Sequence, residues 1–526
     1  MAYSIVRKHT TRAVAVLGSI FALAVLAGCA TERSSGVSEF YRGDYAAAKA
    51  VYQENLKAES NSRALYYLRL GTLELNNGNV QDAREDFLQA TEVMQNFKAS
   101  GQFKALVGHE SSKEYKGDPY EQMMALWYLG VTDYMIGAYN MALPSFKSAA
   151  LADGGTTDER YRSDAASVFL MMAKAYQAMG DQARANDEYR ETEDVYTFQE
   201  TVDRLTRALS YGRDQAFRRA ADPRAVDAAY GFLAEGASAG ATQSQDPSAA
   251  LGDATDFAME RLQAASKSRS ERSRLLDQDP NVISGSIKDI SAAAATRLSQ
   301  EGTAVGASPL APVVQQVSDG ANNFVVLVGI GAGPFKYQAG EYGEMAKIGH
   351  KDYPERYAEV FVDGQSVGRS ATIEDIYYQA STRGGRAMDA VLRGKAVFKD
   401  VTKYGGIAAL GLAALSDNRR TQEAALITGL ALLATSLATQ PGADVRSWET
   451  LPDKIQILAA HVPPGRHDIE VRFYNASAYV LGNMTLRRAN AEISPDRDTL
   501  IYARFGATAM ACACDGQTEQ TAPAGQ

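Results

Sequence analysis

Apolar positions recur at helical spacing through the first half of the chain. Tyr67 with Leu70, Leu126 with Leu129, and Phe169 with Met172 each mark one face of a helix. The same period continues through Phe198, Val202, Leu205 and Leu209, and again through Ala225, Ala229 and Phe232. Between 236 and 253 the chain is rich in Gly, Ala, Ser and Gln, the composition of a flexible linker. A helix around 256–276 and a polar stretch to about Pro312 lead into the second half, so 236–318 is expected to be linker and helical bridge. There the period changes. Phe324–Val328 is a continuous apolar run of the buried-strand type. Residues 358–362, Asp363-Gly364 and 365–373 predict a hairpin, and 454–461, Pro463-Pro464-Gly465 and 467–474 predict another. Further strands fit 478–486 and 500–505.

Fixed offsets around glycines organise the helical half. Gly43 is followed by Ala48 and Tyr52, Gly78 by Ala83 and Phe87, Gly137 by Ala142 and Phe146, and Gly180 by Ala185 and Tyr189. A small residue stands seven positions before each: Gly36, Gly71, Gly130 and Ala173. This pattern resembles the tetratricopeptide repeat, a helix–turn–helix unit of about 34 residues. The turn glycine permits a tight reversal, small residues let the two backbones approach, and the aromatic is expected to fill space toward the next pair. The glycines are unevenly spaced, and an insertion at 98–120 reads as a connector.

The expected fold class is therefore multidomain α + β. A tetratricopeptide-like α-solenoid at 29–235 precedes an antiparallel β-rich, sandwich-like domain at 319–510, with a helical insertion at 373–439. Two apolar segments in that insertion, 405–415 and 424–438, are each shorter than the roughly 20 residues that span a bilayer, so buried core helices are expected. Residues 511–526 read as a disordered tail headed by an inert pair, Cys512 and Cys514.

The N-terminus changes the picture most. Arg7, Lys8 and Arg12 precede an apolar run that closes on Leu26-Ala27-Gly28-Cys29. These are the charged, apolar and cleavage regions of an export signal. A Cys directly after Leu-Ala-Gly resembles the lipobox of bacterial lipoproteins. That resemblance implies removal of residues 1–28 by signal peptidase II and acylation of Cys29. Ala30, rather than Asp, follows the cysteine, which by resemblance to enterobacterial sorting favours the outer membrane with the chain in the periplasm. Membrane lipid is thus one expected partner. Only three cysteines are present, so no disulfide framework is expected. A net charge of -9 gives no basic footprint for nucleic acid.

The whole plan resembles a family of uncharacterised bacterial envelope lipoproteins with tetratricopeptide-like N-terminal halves. Tyr115-Lys116-Gly117-Asp118-Pro119-Tyr120-Glu121, leading into Tyr128, Gly137 and Ala142, carry the likeness first. Gly331, Gly333-Pro334 and Lys336, then Asp389 with Gly394-Lys395, continue it, and Arg446–Pro452 and Pro464–His467 complete it. The resemblance implies a lipid-anchored envelope protein and brings no catalytic residue with it.

Several fragments imitate chemistry. Gly236-Ala237-Ser238-Ala239-Gly240 matches the nucleophile elbow but lacks its preceding strand. In Gly329-Ile330-Gly331-Ala332-Gly333, Pro334 stands where a dinucleotide loop has its last glycine. Gly394-Lys395 lacks the first glycine and the hydroxyl of a phosphate loop. His461 and His467 flank a turn near Asp468 and read as surface residues. No catalytic, cofactor or metal site is assigned. Solenoids expose an extended groove, so the first expectation is a non-enzymatic scaffold or adaptor that binds an envelope protein or peptide. The alternatives are an envelope enzyme with its site in the β-rich half, and a membrane-inserting component of a secretion or pore assembly using 405–438.

Overall fold

The computed structural model describes residues 35–95, 114–153, 165–244, 246–267, 279–300, 317–318, 323–339, 345–382, 443–482 and 485–514. Helices come first: α1 (Val37–Tyr41), α2 (Tyr45–Ala58), α3 (Arg63–Asn76), α4 (Val80–Gln95), α5 (Pro119–Met135), α6 (Tyr139–Asp153), α7 (Ala166–Ala178), α8 (Gln182–Phe217), α9 (Pro223–Gln243), α10 (Pro247–Lys267) and α11 (Pro280–Gln300). Strands follow: β1 (Phe324–Ile330), β2 (Phe335–Ala339), β3 (Met345–Gly349), β4 (Tyr357–Val362), β5 (Gln365–Arg369), β6 (Ala371–Asp375), then α12 (Ile376–Thr382), β7 (Lys454–Ala460), β8 (Gly465–Tyr474), β9 (Leu486–Ile493), β10 (Thr499–Arg504) and β11 (Ala511–Cys512).

The first eight helices form antiparallel pairs, and each of the four turn glycines sits in the left-handed region, at φ 75°, 81°, 79° and 82°. Side chains rarely adopt that conformation, which is why the offsets are anchored on glycine. The seven-before residue has a specific use. A Cβ on Gly36, Gly71 or Gly130 would lie 2.5, 2.6 and 2.5 Å from the ring of Tyr52, Phe87 or Phe146. Each aromatic thus packs flat against the missing side chain of its own pair. Phe87 also reaches the next pair, stacking on Tyr128 with centroids 5.2 Å apart.

The strands make a five-stranded sheet in the order β11-β10-β1-β7-β6 and a four-stranded sheet in the order β5-β4-β8-β9, with β2-β3 as a separate ribbon. Pairing is antiparallel except between β1 and β10. Strand β1 is buried throughout because it has two covered faces. Val325 and Leu327 face the helices, with Ile455, Ile457, Leu500 and Tyr502. Phe324, Val326 and Val328 face the second sheet, with Val360, Val471 and Phe473. Helices, inner sheet and outer sheet are therefore three layers around shared cores.

Three expectations change here. The linker over 236–253 is helix: α9 runs to Gln243, and Asp246 caps α10 by accepting the Ser248 N–H at 3.1 Å. Gly236 and Gly240 are contact points, since a Cβ there would fall 2.5 Å from the Ala254 carbonyl and 2.1 Å from the Ala250 carbonyl. With the second half of α8 and α11 these helices share a core of Leu205, Leu209, Leu233, Ile283, Ile287 and Ile290. The second hairpin is not one. Strand β7 belongs to the inner sheet and β8 to the outer, so Pro463-Pro464 carries the chain between layers. Asn323 fixes that crossing by donating to the Val462 carbonyl at 2.8 Å and accepting its N–H at 3.0 Å. Of the expected strand over 478–486, Val480 makes only an isolated bridge to Tyr474, and the strand begins at Leu486.

The first hairpin forms as far as β5, with Asp363 and Gly364 at φ 50° and 79°, the turn that Asp-Gly favours. After Ser370 the chain crosses to the inner sheet as β6. The tail also begins later than expected. Strand β11 pairs with β10, and Cys512 is disulfide-bonded to Cys514. Residues 383–442, with the segments 405–415 and 424–438 and with Asp389 and Gly394-Lys395, lie outside the described residues, as do Leu26–Cys29. Among the described residues, no helix is long and apolar enough to cross a membrane.

Candidate functional site

The groove lined by the first helices of the repeat pairs is filled by the chain's own segment 443–453. Its entry is held by Arg446, which pairs with Asp444 at 2.6 Å and donates to the Asn61 carbonyl at 2.9 Å between α2 and α3. The guanidinium lies over the Tyr115 ring. Next, the Ser447 carbonyl accepts from Arg69 of α3 at 3.1 Å. The Trp448 N–H donates to Glu121 of α5 at 2.7 Å. Its indole packs against both Phe87 and Tyr128, at centroid distances of 6.0 and 5.8 Å. The indole N–H donates to Thr450 Oγ1 at 3.0 Å, and that hydroxyl lies 2.7 Å from the Thr72 hydroxyl of α3. The Glu449 carbonyl accepts from the Tyr41 hydroxyl.

Arg504, buried on β10, holds the far end by donating to the carbonyls of Thr450, Leu451 and Gly331. A buried guanidinium needs such partners to offset desolvation. The Leu451 carbonyl also accepts from Gly333 at 2.7 Å. Helical side chains therefore read the strap's backbone, while one aromatic ring supplies the apolar anchor.

Beneath Trp448 lies a buried charge cluster. Asp118 and Glu121 form the capping box of α5, and Lys336 of β2 lies 3.0 and 3.1 Å from their carboxylates. Burial pulls the Lys336 ammonium down, but Glu121 and Asp118 outweigh it and hold it above the ordinary lysine value. Burial raises the Asp118 carboxyl, with Lys336 opposing. Motifs remote in sequence thus converge: Tyr115–Glu121, Tyr128, Gly333, Lys336 and Arg446–Leu451 all meet around the strap. Sequence reasoning quoted these residues without seeing their common place. Arg69, Thr72 and Arg504 it missed; the last is a charged residue within an apolar strand run, which was the available signal.

The repeat-defining residues hold packing positions. Ala48, Ala83, Ala142 and Ala185 are fully buried, and Tyr52, Phe87, Phe146 and Tyr189 are buried beside them. Gly236 and Gly240 lie inside α9, away from any strand–turn–helix elbow. Gly331 ends β1 at φ 77° and donates its N–H to Glu355 at 3.0 Å. Both ring nitrogens of His467 are engaged, by Asp363 at 2.7 Å and by the Pro463 carbonyl at 2.8 Å. Among the described residues, no cluster of His, Cys, Asp and Glu fits a metal ion.

A second grouping lies where β1 and β7 meet the β2–β3 ribbon. His350 is 3.4 Å from the buried Asp453 carboxylate, which also accepts the Tyr353 hydroxyl. Burial raises the Asp453 carboxyl, and its Oδ1 is buried without a hydrogen-bond partner. Half-exposed His350 lies between this carboxylate and solvent. Among the described residues, one cavity of about 290 Å3 lies among Met94, Leu126 and Leu151, and another of about 210 Å3 lies beside the disulfide.

No family model matches the chain, and neither does any curated protein. A solved structure titled "Crystal structure of MamA" is similar at 17% sequence identity, over 45% of this chain and 99% of that one, with a TM-score of 0.23.

Proposed function

We propose that the chain is a non-enzymatic, lipid-anchored scaffold of the bacterial envelope. Acylated Cys29 would hold it to the outer membrane, and its tetratricopeptide-like repeats and sandwich-like sheets would face the periplasm as one platform. The observation that carries the reading is the strap 443–453 in the repeat groove. Helix side chains grip its carbonyls and N–H groups while Trp448 fills a pocket, which is how repeat grooves hold extended peptides. In this protein that capacity joins its two halves in cis. Envelope protein or peptide partners would meet the joined body or compete for the groove.

Two measurements test the reading. Cys29→Ala should block acylation and leave a precursor that still carries its signal; normal processing and unchanged membrane extraction would overturn the anchor. In-cell crosslinking of the lipidated protein should trap envelope proteins, and turnover of an envelope substrate by the purified full chain would overturn the non-enzymatic part. The enzyme reading has one observation in its favour, the partnerless buried Oδ1 of Asp453 beside His350. His350→Ala would abolish such turnover and leave crosslinking intact.

A further inference from the structure

Cys512 and Cys514 are bonded to each other, with Cα atoms 5.2 Å apart. They are 7% and 4% exposed, yet both belong to the wall of the 210 Å3 surface cavity, with Met135, Glu492, Arg497 and Asp498. Alternate residues of an extended strand point to one side, so a pair two apart can present both sulfurs to one space. Arg497 also lines this wall, and a cation near a cysteine favours thiolate over thiol. Glu492 opposes it, and Asp498 is paired with Lys174 at 2.5 Å.

The surrounding chain is held at several points on either side of the bridge. Strand β11 has two residues and pairs with β10 only at Ile501↔Cys512 and Tyr502↔Ala511. Just before it, the Thr508 and Ala509 N–H groups donate to the Asn76 carbonyl at 3.0 and 3.1 Å, where α3 turns into α4. After it, the Cys514 carbonyl accepts from Glu492 at 2.9 Å. The segment that leads into the bridge thus joins the sheets to a helix turn. The sequence holds three cysteines, and the third is Cys29 at the lipobox. With Cys29 acylated, a thiol that attacks the bridge must come from another molecule.

We propose that Cys512–Cys514 is a thiol–disulfide exchange site that takes electrons from an external dithiol entering this cavity. A thiolate of the dithiol attacks one sulfur, the bond between Cys512 and Cys514 breaks, and a mixed disulfide forms as the other cysteine leaves as thiolate. The second thiol of the reductant, once deprotonated, attacks the mixed disulfide. That closes the reductant's own disulfide and frees the second cysteine. Two electrons pass to the protein, and its two thiolates take up the two protons that the dithiol released. The proposal rests on the acylation of Cys29 and not on the scaffold role.

Dithiothreitol is the probe, applied to the full lipidated protein in detergent without denaturant. Free thiols are blocked with N-ethylmaleimide, and the C-terminal peptide is weighed. The bridge should open in the folded protein at a rate proportional to the probe, about tenfold faster for tenfold more dithiol. Amide exchange over 506–514 should rise on reduction while β1 and β7 stay protected. Should reduction unfold the chain, the initial rate still decides. Proportionality to dithiol supports exchange in the native state, and saturation at the unfolding rate overturns it. A bridge that opens only in denaturant, or cysteines found as free thiols in the native protein, also overturns it.

Discussion

The Trp448 N–H donates to Glu121 Oε1 at 2.7 Å, joining the strap to the first turn of α5 across 327 positions of sequence. The same carboxylate group accepts from the Asp118 N–H at 2.7 Å and from Lys336 at 3.1 Å. One buried side chain thus caps a helix, holds a strand's ammonium and seats the strap.

Trp448→Ala removes the ring that packs against both Phe87 and Tyr128. Truncating a buried Trp costs about 3–5 kcal/mol. The urea midpoint should fall accordingly, and amide exchange should rise in both α5 and β10, because the ring belongs to their common core. A rise confined to the strap itself would argue against a shared core.

Lys336→Met leaves buried Glu121, with the partly exposed Asp118 beside it, without a cation, and breaking a buried pair on one side costs about 3–5 kcal/mol. Adding Glu121→Gln should recover part of that loss, because the uncompensated charge is gone. A double-mutant cycle in urea should give a coupling of about 0.5–3 kcal/mol; strict additivity would mean that the two groups do not interact.

Gly130→Ala and Gly231→Ala are expected to act with opposite sign. The first drives a methyl group into the Phe146 ring, an overpacking worth about 1–3 kcal/mol. The second sits in α9 with nothing within 4 Å, where alanine's better helix propensity adds up to about 1 kcal/mol. Melting temperatures of the two variants provide the check.

Asp86 gives a pH dependence. Burial, then the charge of Glu74, raises its carboxyl from 3.8 to about 7. The folded state therefore binds this proton more tightly than the unfolded state does. That contribution to stability is complete below 3.8 and is lost as pH rises through about 7. Asp86→Asn abolishes the titration, so the parent should lose stability relative to the variant across that interval. A constant difference in melting temperature from pH 4 to 8 would show that Asp86 titrates normally.

What sequence alone determined was local. Turn glycines, buried alanines and aromatics fall at offsets that one helical hairpin can satisfy, so Gly71 and Phe87 meet whatever surrounds them. The Asp363-Gly364 turn is legible for the same reason. The burial of Phe324–Val328 could also be read, although not the partners of its two faces. Tertiary structure decided the rest. Composition at Gly236 and Gly240 suggested flexibility, whereas the absent side chains serve close approach by another helix. Pro463-Pro464-Gly465 looked like a hairpin turn, but strand pairing is a non-local choice, and β7 and β8 chose different sheets. The groove was expected from the repeats, and its occupant was not. Trp448 stands hundreds of positions from Phe87 and Glu121, and only folding brings an indole, a capping carboxylate and the Arg504 guanidinium to one strap. Periodicity specifies which face of an element is apolar; which other surface buries it is settled by the packing of the whole chain.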